Sequence, residues 1–309
     1  MLEIKGISKS YGDNSVLNNI SLHIGKGDIL VILGTNGAGK STLINILSCL
    51  IEPDKGDVFF DGENVKSNID KYKNKIGIVP QEIALYQELS AYDNLMFWGG
   101  LYDISRKELQ ETADYVLNLF GLYDKRNAKI KTYSGGMKRK INIACSILHK
   151  PSLLLMDEPT VGLDPQSTND TIDHIENLNA KGMTIVYTTH YMKVAERLCN
   201  RIALIDEGSI LDVGSFAVLR GLSGIKDSVT IKLKNANSTE LNKLQFDRSL
   251  YRIDNLNNTF HMDCEDINKE IADIIAGIQA CNGEILSIDT CVADLESIFI
   301  KLTGKMLKD

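Results

Sequence analysis

Gly34-Thr35-Asn36-Gly37-Ala38-Gly39-Lys40-Ser41-Thr42 is a glycine-rich loop between two apolar segments. Residues 29–33, which precede it, form a continuous apolar run that is typical of a buried strand. Residues 43–47, which follow it, have the apolar spacing of a helix. A strand, a glycine-rich loop, a Lys-Ser pair and a helix in this order predict a phosphate-binding loop rather than a chance glycine-rich turn.

The chemistry of this loop favours a nucleoside triphosphate as its ligand. Glycines let the backbone wrap tightly, so that successive N–H groups point at one anion. A helix that begins near Lys40 adds the positive end of its dipole. Lys40 is placed to reach the β- and γ-phosphates, and the Ser41 hydroxyl is placed to bind Mg²⁺.

The composition of the chain limits its class. A chain of 309 residues is long enough for two domains. The net charge of −7 and the pI of about 5.4 argue against a nucleic-acid partner, which normally leaves a basic surface. No apolar run approaches the roughly 18 residues that span a bilayer, and the N-terminus has no signal-peptide pattern, so we expect a cytosolic protein. The six cysteines contain no C-x-x-C pair, which argues against a zinc site or a disulfide framework.

The order of strand and helix patterns predicts the domain organisation. Two strands around a turn at residues 12–14 come first, and alternating strands and helices then predict a mostly parallel α/β sheet. From about residue 227 a second pattern begins, with a helix near Leu241 and Leu244 and a final helix over residues 291–303. We therefore expect an α/β domain over residues 1–222 and a small α+β domain over residues 223–309.

A second chemical motif follows the apolar run at residues 153–156, which ends in Asp157 and Glu158. A buried strand would hold Asp157 at its carboxyl end, where ligands bind in open α/β sheets. Asp157 is then a candidate Mg²⁺ ligand, and Glu158 is a candidate to polarise the water that attacks the γ-phosphate. Two acidic residues that merely end a strand are the alternative, and the phosphate-binding loop upstream argues against it.

Two further polar residues end strands of the predicted sheet. His190 follows the strand at residues 184–188, which places it at the same sheet edge as Glu158 and near the γ-phosphate. Gln81 follows the strand at residues 76–79, within reach of Mg²⁺ and the attacking water. Either residue alone would be an ordinary structural side chain.

Ser134, Gly135, Gly136 and Met137 begin a long predicted helix and form a second candidate anion site. Ser134 is a favourable N-cap, and the glycines leave backbone N–H groups open at the helix start. One γ-phosphate has no use for two distant anion sites in one rigid domain unless a second copy approaches. The segment therefore indicates a composite site.

Taken together, these motifs resemble those of the ATP-binding subunits of ABC transporters, over residues 2–222 and in the family's order. The resemblance implies a P-loop NTPase fold: a RecA-like core sheet, an antiparallel β subdomain, and a helical signature subdomain at about residues 88–150. In the family's terms, residues 34–42 would be the Walker A loop, Gln81 the Q-loop and Ser134 to Met137 the signature. Asp164, with Gly162 and Leu163, would form the D-loop, His190 would be the switch histidine, and Tyr11 would stack on adenine. Thr35, Tyr133 and Met137 depart from the commoner residues without removing a phosphate-binding group.

The resemblance also implies a mechanism with partners. Two ATPase subunits, in a homodimer or with a related subunit, would close head-to-tail around two ATP molecules with Mg²⁺. Hydrolysis by Glu158 and His190 would reopen them. A permease on a separate chain would dock near residues 82–90 and Trp98, which places the protein on the inner face of the cell membrane. The end of the chain, residues 292–304, resembles the ATPases of bacterial exporters of drugs, antibiotics and sodium.

Two other functions are weighed against this one. A soluble ABC-type ATPase that acts on ribosomes usually carries two ATPase halves, and one that acts on DNA carries long coiled coils or zinc modules. This chain has one set of motifs, no heptad run and no cysteine cluster. An inactive regulatory subunit is opposed by the presence of Lys40, Asp157, Glu158 and His190 together.

Overall fold

The protein consists of two compact units in a computed structural model that describes residues 1–198, 200–234, 251–254 and 256–304. The first unit extends from Met1 to Phe216, and the second begins at Ala217. The sequence placed the boundary after Leu222, whereas the helix α8 (Phe216–Ser223) lies almost wholly in the second unit. The helix predicted near Leu241 and Leu244 lies outside the described residues.

An antiparallel sheet opens the first unit. It contains β1 (Leu2–Tyr11), β2 (Asn14–Ile24), β4 (Lys55–Phe60) and β5 (Glu63–Asn64), in the order β2-β1-β4-β5. Alternate apolar residues of these strands are buried in one core that also includes residues of the next sheet. The turn between β1 and β2 lies where the sequence predicts it.

The second sheet of this unit is the one that positions the candidate site. Its strands are β3 (Ile29–Leu33), β6 (Ile76–Val79), β7 (Leu153–Asp157), β8 (Thr184–Thr189), β9 (Arg201–Asp206) and β10 (Ser209–Gly214). Their order is β10-β9-β3-β8-β7-β6, and all neighbours are parallel except the pair β10 and β9. Every residue of β3, β7 and β8 is buried, as expected for a parallel sheet covered on both faces. The carboxyl ends of β3, β8, β7 and β6 therefore meet at one edge.

Seven helices accompany these strands in the described part of the first unit. They are α1 (Lys40–Leu47), α2 (Ile69–Lys73), α3 (Ala91–Gly99), α4 (Arg106–Leu119), α5 (Gly135–Ser146), α6 (Pro165–Ala180) and α7 (Met192–Leu198). Serine caps begin the three helices between β6 and β7: Ser90 before α3, Ser105 before α4 and Ser134 before α5. None of the helices in the described ranges combines the length and apolarity needed to cross a bilayer.

The second unit is an antiparallel sheet with helices. Its strands are β11 (Asp227–Leu233), β12 (Tyr251–Asp254), β13 (Thr259–Cys264) and β14 (Ile285–Cys291), and its order is β12-β13-β11-β14. One face of the sheet shares a buried core with helix α9 (Ile267–Ala280). β11, which comes first in sequence among these strands, pairs with a strand on each side, β13 and β14.

A buried carboxylate organises this unit. Asp227, which is 2% exposed, accepts hydrogen bonds from the backbone N–H groups of Ile267 (3.1 Å) and Ala293 (2.9 Å) and pairs with Arg220 (3.0 Å). The last helix, α10 (Leu295–Thr303), begins later than the predicted residue 291, because β14 continues to Cys291 and Asp294 caps the helix.

Candidate active site

The glycine-rich loop joins the end of β3 to the start of α1. Gly37 and Gly39 have φ angles of +83° and +101°, which residues with side chains rarely adopt. A Cβ on Gly39 would lie 2.8 Å from the Val16 carbonyl oxygen, and one on Gly34 would lie 2.3 Å from the Ile205 carbonyl oxygen. The loop therefore needs glycine both for its conformation and for its close approach to the neighbouring strands.

An open cleft of about 390 Å³ lies against this loop, and it brings together residues that are far apart in sequence. Nine residues line it: Val16, Asn36, Gly37, Gly39, Lys40, Ser41, Thr42, Gln81 and Glu158. The sequence singled out all of these except Val16, whose part depends on the packing of β2 against the loop. Thr35 and Ala38 shape the loop through their backbone carbonyls, which accept hydrogen bonds from Lys40 (3.0 Å) and Gly208 (3.2 Å).

Lys40 is the buried cation of the cleft. Its side chain is only 4% exposed, and its Nζ donates to the carbonyl oxygens of Gly34 and Thr35, both at 3.0 Å. The same Nζ lies 2.9 Å from Oε1 of Glu158. The charge is thus fully compensated within the loop and by one carboxylate.

Glu158 lies between that cation and His190. Its Oε2 is 2.9 Å from Nδ1 of His190, and both side chains are less than a tenth exposed. The residue has a φ of +42°, an uncommon conformation for a residue with a side chain, and one that is often found at functional sites. The sheet edge therefore brings Glu158 and His190 into direct contact, while Gln81 lines the same cleft.

Thr188 connects the two acidic residues at the end of β7. Its hydroxyl donates to Oδ1 of Asp157 (2.7 Å) and accepts from the backbone N–H of Glu158 (3.0 Å). Thr188 is fully buried on the neighbouring strand β8. Sequence reasoning missed this residue, which is one of three buried threonines in β8.

The candidate Mg²⁺ ligands are Asp157, Ser41 and Gln81. In the described ranges, no group of three or more His, Cys, Asp or Glu side chains is placed to hold a metal ion. Mg²⁺ commonly takes one or two carboxylates and completes its shell with substrate phosphates and water. One carboxylate with a hydroxyl and an amide oxygen beside a phosphate-binding loop fits that donor chemistry.

The four signature residues lie apart from this cleft. Ser134 caps α5 by accepting from the Met137 N–H (3.3 Å), and both Ser134 and Gly135 are exposed. A Cβ on Gly136 would lie 2.4 Å from Oγ of Ser167, so α5 and α6 approach each other there. The residues that line the cleft around Lys40 do not include Ser134, Gly135, Gly136 or Met137.

Two other predicted nucleotide contacts also lie outside the cleft lining. Asp164 caps α6, where it accepts from the Ser167 N–H (3.0 Å) and hydroxyl (2.6 Å). These hydrogen bonds from Ser167 lower the pKa of Asp164. Tyr11 is 52% exposed at the end of β1, with Nζ of Lys9 5.8 Å from its ring centroid. Its ring is open to solvent and accessible to a flat ligand.

Comparison with known proteins identifies the family. The family model described as "ABC transporter" matches residues 17–161. The linearmycin resistance ATP-binding protein LnrL of Bacillus subtilis (strain 168) is 39% identical over 316 residues, which cover 100% of both chains. The chain belongs to the ABC transporter ATP-binding subunits. Another member, the Nod factor export ATP-binding protein I of Cupriavidus pinatubonensis (strain JMP 134 / LMG 1197), is 31% identical over 100% of this chain and 92% of its own.

A solved structure agrees with this assignment. The structure of a dimeric ATP-binding cassette, in a post-hydrolysis state with ADP and Pi bound, has a TM-score of 0.63 and 29% identity. The match covers 70% of this chain and 98% of that chain. The predicted P-loop NTPase fold is thus confirmed, as is the prediction of an ATP-binding and ATP-hydrolysing subunit homologous to exporter ATPases. The alternative of an ATPase that acts on ribosomes or DNA gains no support from these relatives.

Proposed function

We propose that this ABC ATPase subunit binds ATP with Mg²⁺ in the cleft around Lys40 and uses Glu158 as the general base for hydrolysis. The observation that carries this proposal is the position of the Glu158 carboxylate, 2.9 Å from Lys40 on one side and 2.9 Å from His190 on the other. The carboxylate lies in the cleft beside the phosphate-binding loop, where a water molecule next to the γ-phosphate is within its reach.

The binding step follows from the loop. Residues 34–42 direct their N–H groups and the start of α1 at the phosphates, and Lys40 exchanges its present partners for phosphate oxygens. Ser41, Gln81 and Asp157 would hold Mg²⁺, which when bound would supply positive charge beside the phosphates. The exposed ring of Tyr11 stacks on the adenine.

The hydrolysis step needs a base and a residue that orients it. The water oxygen forms a bond to the γ-phosphorus, the bond to the bridging oxygen of ADP breaks, and the water proton passes to Glu158. Nδ1 of His190 orients the Glu158 carboxylate, and the Thr188 hydroxyl accepts from the backbone N–H of Glu158. The products are ADP and inorganic phosphate.

A second copy, or a related subunit, completes each site. The N-terminus of α5 presents Ser134 and Gly135 at the surface, away from the cleft of the same chain. Helix N-termini are anion sites, so this end suits the γ-phosphate held by another subunit. Head-to-tail closure places two ATP molecules at the interface between two subunits, and Met137 and Asp164 lie near this interface.

A permease on a separate chain is the proposed membrane partner, and export is the proposed direction. Just after Gln81, the rings of Tyr86 (47% exposed) and Phe97 (43% exposed) contact each other with centroids 4.8 Å apart. Aromatic residues of this kind are enriched at protein interfaces. The relatives named for linearmycin resistance and Nod factor export support an exporter on the cytoplasmic face of the cell membrane.

The substitution Glu158→Gln tests the assigned base. We expect the variant to bind ATP and to stop turnover, because an amide accepts no proton from the attacking water. A dimer should then accumulate with ATP, which size-exclusion chromatography detects. Glu111→Gln, at an exposed glutamate of α4, is the control and should hydrolyse ATP normally. Wild-type hydrolysis by Glu158→Gln would refute the role of Glu158.

The docking surface has a test of its own. Replacing Tyr86 and Phe97 together by serine removes both exposed rings and should abolish co-purification of the ATPase with its permease from membranes. The control pair is Tyr115→Ser with Leu50→Ser, which removes two exposed apolar side chains that do not belong to the aromatic cluster. Equal loss of the permease in both pairs would argue against a docking surface at Tyr86 and Phe97.

A further inference from the structure

Arg139 is a buried cation with no carboxylate partner among the described residues. It lies in α5, five residues after the N-cap Ser134, and is 3% exposed. Burial lowers the pKa of Arg139. Burying a charge costs free energy, and an apolar residue of similar length would pack more favourably at this position. The presence of a guanidinium here therefore indicates a specific role for its N–H groups.

The partners of Arg139 are two consecutive backbone carbonyls. Nη1 donates to the Pro80 oxygen (2.8 Å) and Nη2 donates to the Gln81 oxygen (2.6 Å). The planar guanidinium presents its N–H groups as a rigid fork, which suits two adjacent acceptors. Arg139 thus holds the main chain of Gln81, whose side chain lines the nucleotide cleft.

A second side chain of the same helix holds the other end of this loop. Oδ1 of Asn142, which is three residues after Arg139 and on the same face of α5, accepts from the Ala84 N–H at 3.3 Å. The loop after β6 is therefore attached to α5 at Pro80, Gln81 and Ala84. The exposed N-terminus of α5, at Ser134 and Gly135, lies only four to five residues before Arg139 on the same helix.

We propose that Arg139 is a positioning residue that couples the Gln81 loop to the signature helix, so that the two move as one body. This inference rests on the proposed function, in which Gln81 contacts Mg²⁺ and water at one ATP while the N-terminus of α5 contacts the ATP of a second subunit. A displacement of Gln81 then displaces the signature end of α5. Each subunit thereby transmits the state of its own site to the site it shares with its partner.

Hydrogen exchange on the full chain tests this coupling. The rate is followed in residues 34–42, 80–84 and 140–146, with and without Mg²⁺ and a non-hydrolysable ATP analogue. In the wild type, we expect the nucleotide to slow exchange in all three segments. In Arg139→Met, which keeps the length and removes the donors, residues 34–42 should still be slowed while residues 140–146 lose that response.

Kinetics supply a second readout that a merely structural role would not move. For Arg139→Met we expect kcat to fall about tenfold with KM nearly unchanged, an effect of the size typical of residues that couple two sites. Arg139→Lys keeps the charge but cannot bond both carbonyls in a fork, so it should show a smaller loss of the same kind. The control is Arg126→Met, because Arg126 donates to the carbonyl of Tyr123, only three residues away.

The outcomes separate this inference from the proposed function. A normal nucleotide response at residues 140–146 in Arg139→Met, or an equal loss in Arg126→Met, would overturn the coupling alone. If Arg139→Met fails to fold, Arg139→Lys decides, and a wild-type response in that variant overturns the coupling. If residues 34–42 of the wild type do not respond to nucleotide, the proposed nucleotide site fails, and the coupling fails with it.

Discussion

Replacing Thr188 by valine should lower the stability of the protein and raise the Mg²⁺ concentration that ATP hydrolysis requires. Valine has nearly the shape of threonine, so the fully buried position stays filled. What disappears is one hydroxyl, which donates to Oδ1 of Asp157 at 2.7 Å and accepts from the Glu158 N–H at 3.0 Å. The substitution therefore leaves a buried N–H without a partner and frees the Asp157 carboxylate to rotate.

The magnitude follows from these two bonds. A hydrogen bond to a charged group contributes about 1.5–3 kcal/mol, and an orphaned buried N–H costs about 1–3 kcal/mol. Because the two effects share one hydroxyl, we expect a loss of about 3 kcal/mol in the free energy of unfolding. Thr188→Ser keeps both bonds and loses one methyl group, for about 1 kcal/mol.

The assay compares stability with Mg²⁺ dependence. At roughly 2–4 °C per kcal/mol for a unit of this size, calorimetry should show a Tm lower by about 6–12 °C for Thr188→Val and by about 2–4 °C for Thr188→Ser. The valine variant should also need more Mg²⁺ for half-maximal ATP hydrolysis, since Asp157 is no longer held.

Thr184→Val provides the matched control for this experiment. Thr184 is a fully buried threonine at the start of the same strand, and its hydroxyl accepts from the Gly27 N–H at 2.8 Å. It should lose stability without a change in the Mg²⁺ requirement. Equal Tm losses for Thr188→Val and Thr188→Ser, or an unchanged Mg²⁺ requirement in Thr188→Val, would refute the reasoning.

Three further predictions concern other ionisable side chains. Lys40→Ala should weaken ATP binding by about tenfold or more, because the loop loses its cation and Glu158 is left facing His190 alone; unchanged affinity in a binding titration would count against the phosphate site. Asp227→Asn should destabilise the second unit by about 1.5–3 kcal/mol, since the buried side chain loses its charged bonds to Arg220 and to backbone N–H groups; limited proteolysis should then cut that unit first, and wild-type resistance would contradict the role of the carboxylate. Burial lowers the pKa of His149, whose Nδ1 is buried without a partner while Nε2 donates to the Ile76 carbonyl at 2.8 Å. The neutral ring therefore contributes stability that is fully present above the ordinary histidine pKa of about 6.5 and is lost as the pH falls toward the lowered value; His149→Gln should flatten the pH dependence of Tm below 6.5, and an unchanged slope would exclude His149 as its source.

Much of the fold was predictable because its signals are local. The glycine-rich loop lies between a strand and a helix, and the runs that form β6, β7 and β8 each end in or precede a polar residue of the candidate site. Parallel strands carry their carboxyl ends to one edge, so the sequence alone predicted that Gln81, Glu158 and His190 would meet near Lys40.

The rest depends on contacts between distant parts of the chain. Nothing near Thr188 in sequence shows that its hydroxyl joins Asp157 to the Glu158 backbone on the next strand. The partners of Arg139 precede it by 58 residues or more, so its burial is invisible to periodicity. The start of α10 at Leu295 was also misplaced, because the extent of β14 is set by its pairing with β11 rather than by its own residues.

The central place of β11 in the second unit has a consequence for how the chain folds during synthesis. Both neighbours of β11, β13 and β14, come later in the sequence, as do the N–H groups of Ile267 and Ala293 that bond Asp227. When β11 leaves the ribosome, both of its edges are unpaired. Of the partners described above for the Asp227 carboxylate, Arg220 alone has then been translated. Open strand edges are sites of pairing with other chains, and non-local pairing is slow. β11 can therefore complete its pairing only after both β13 and β14 have been translated.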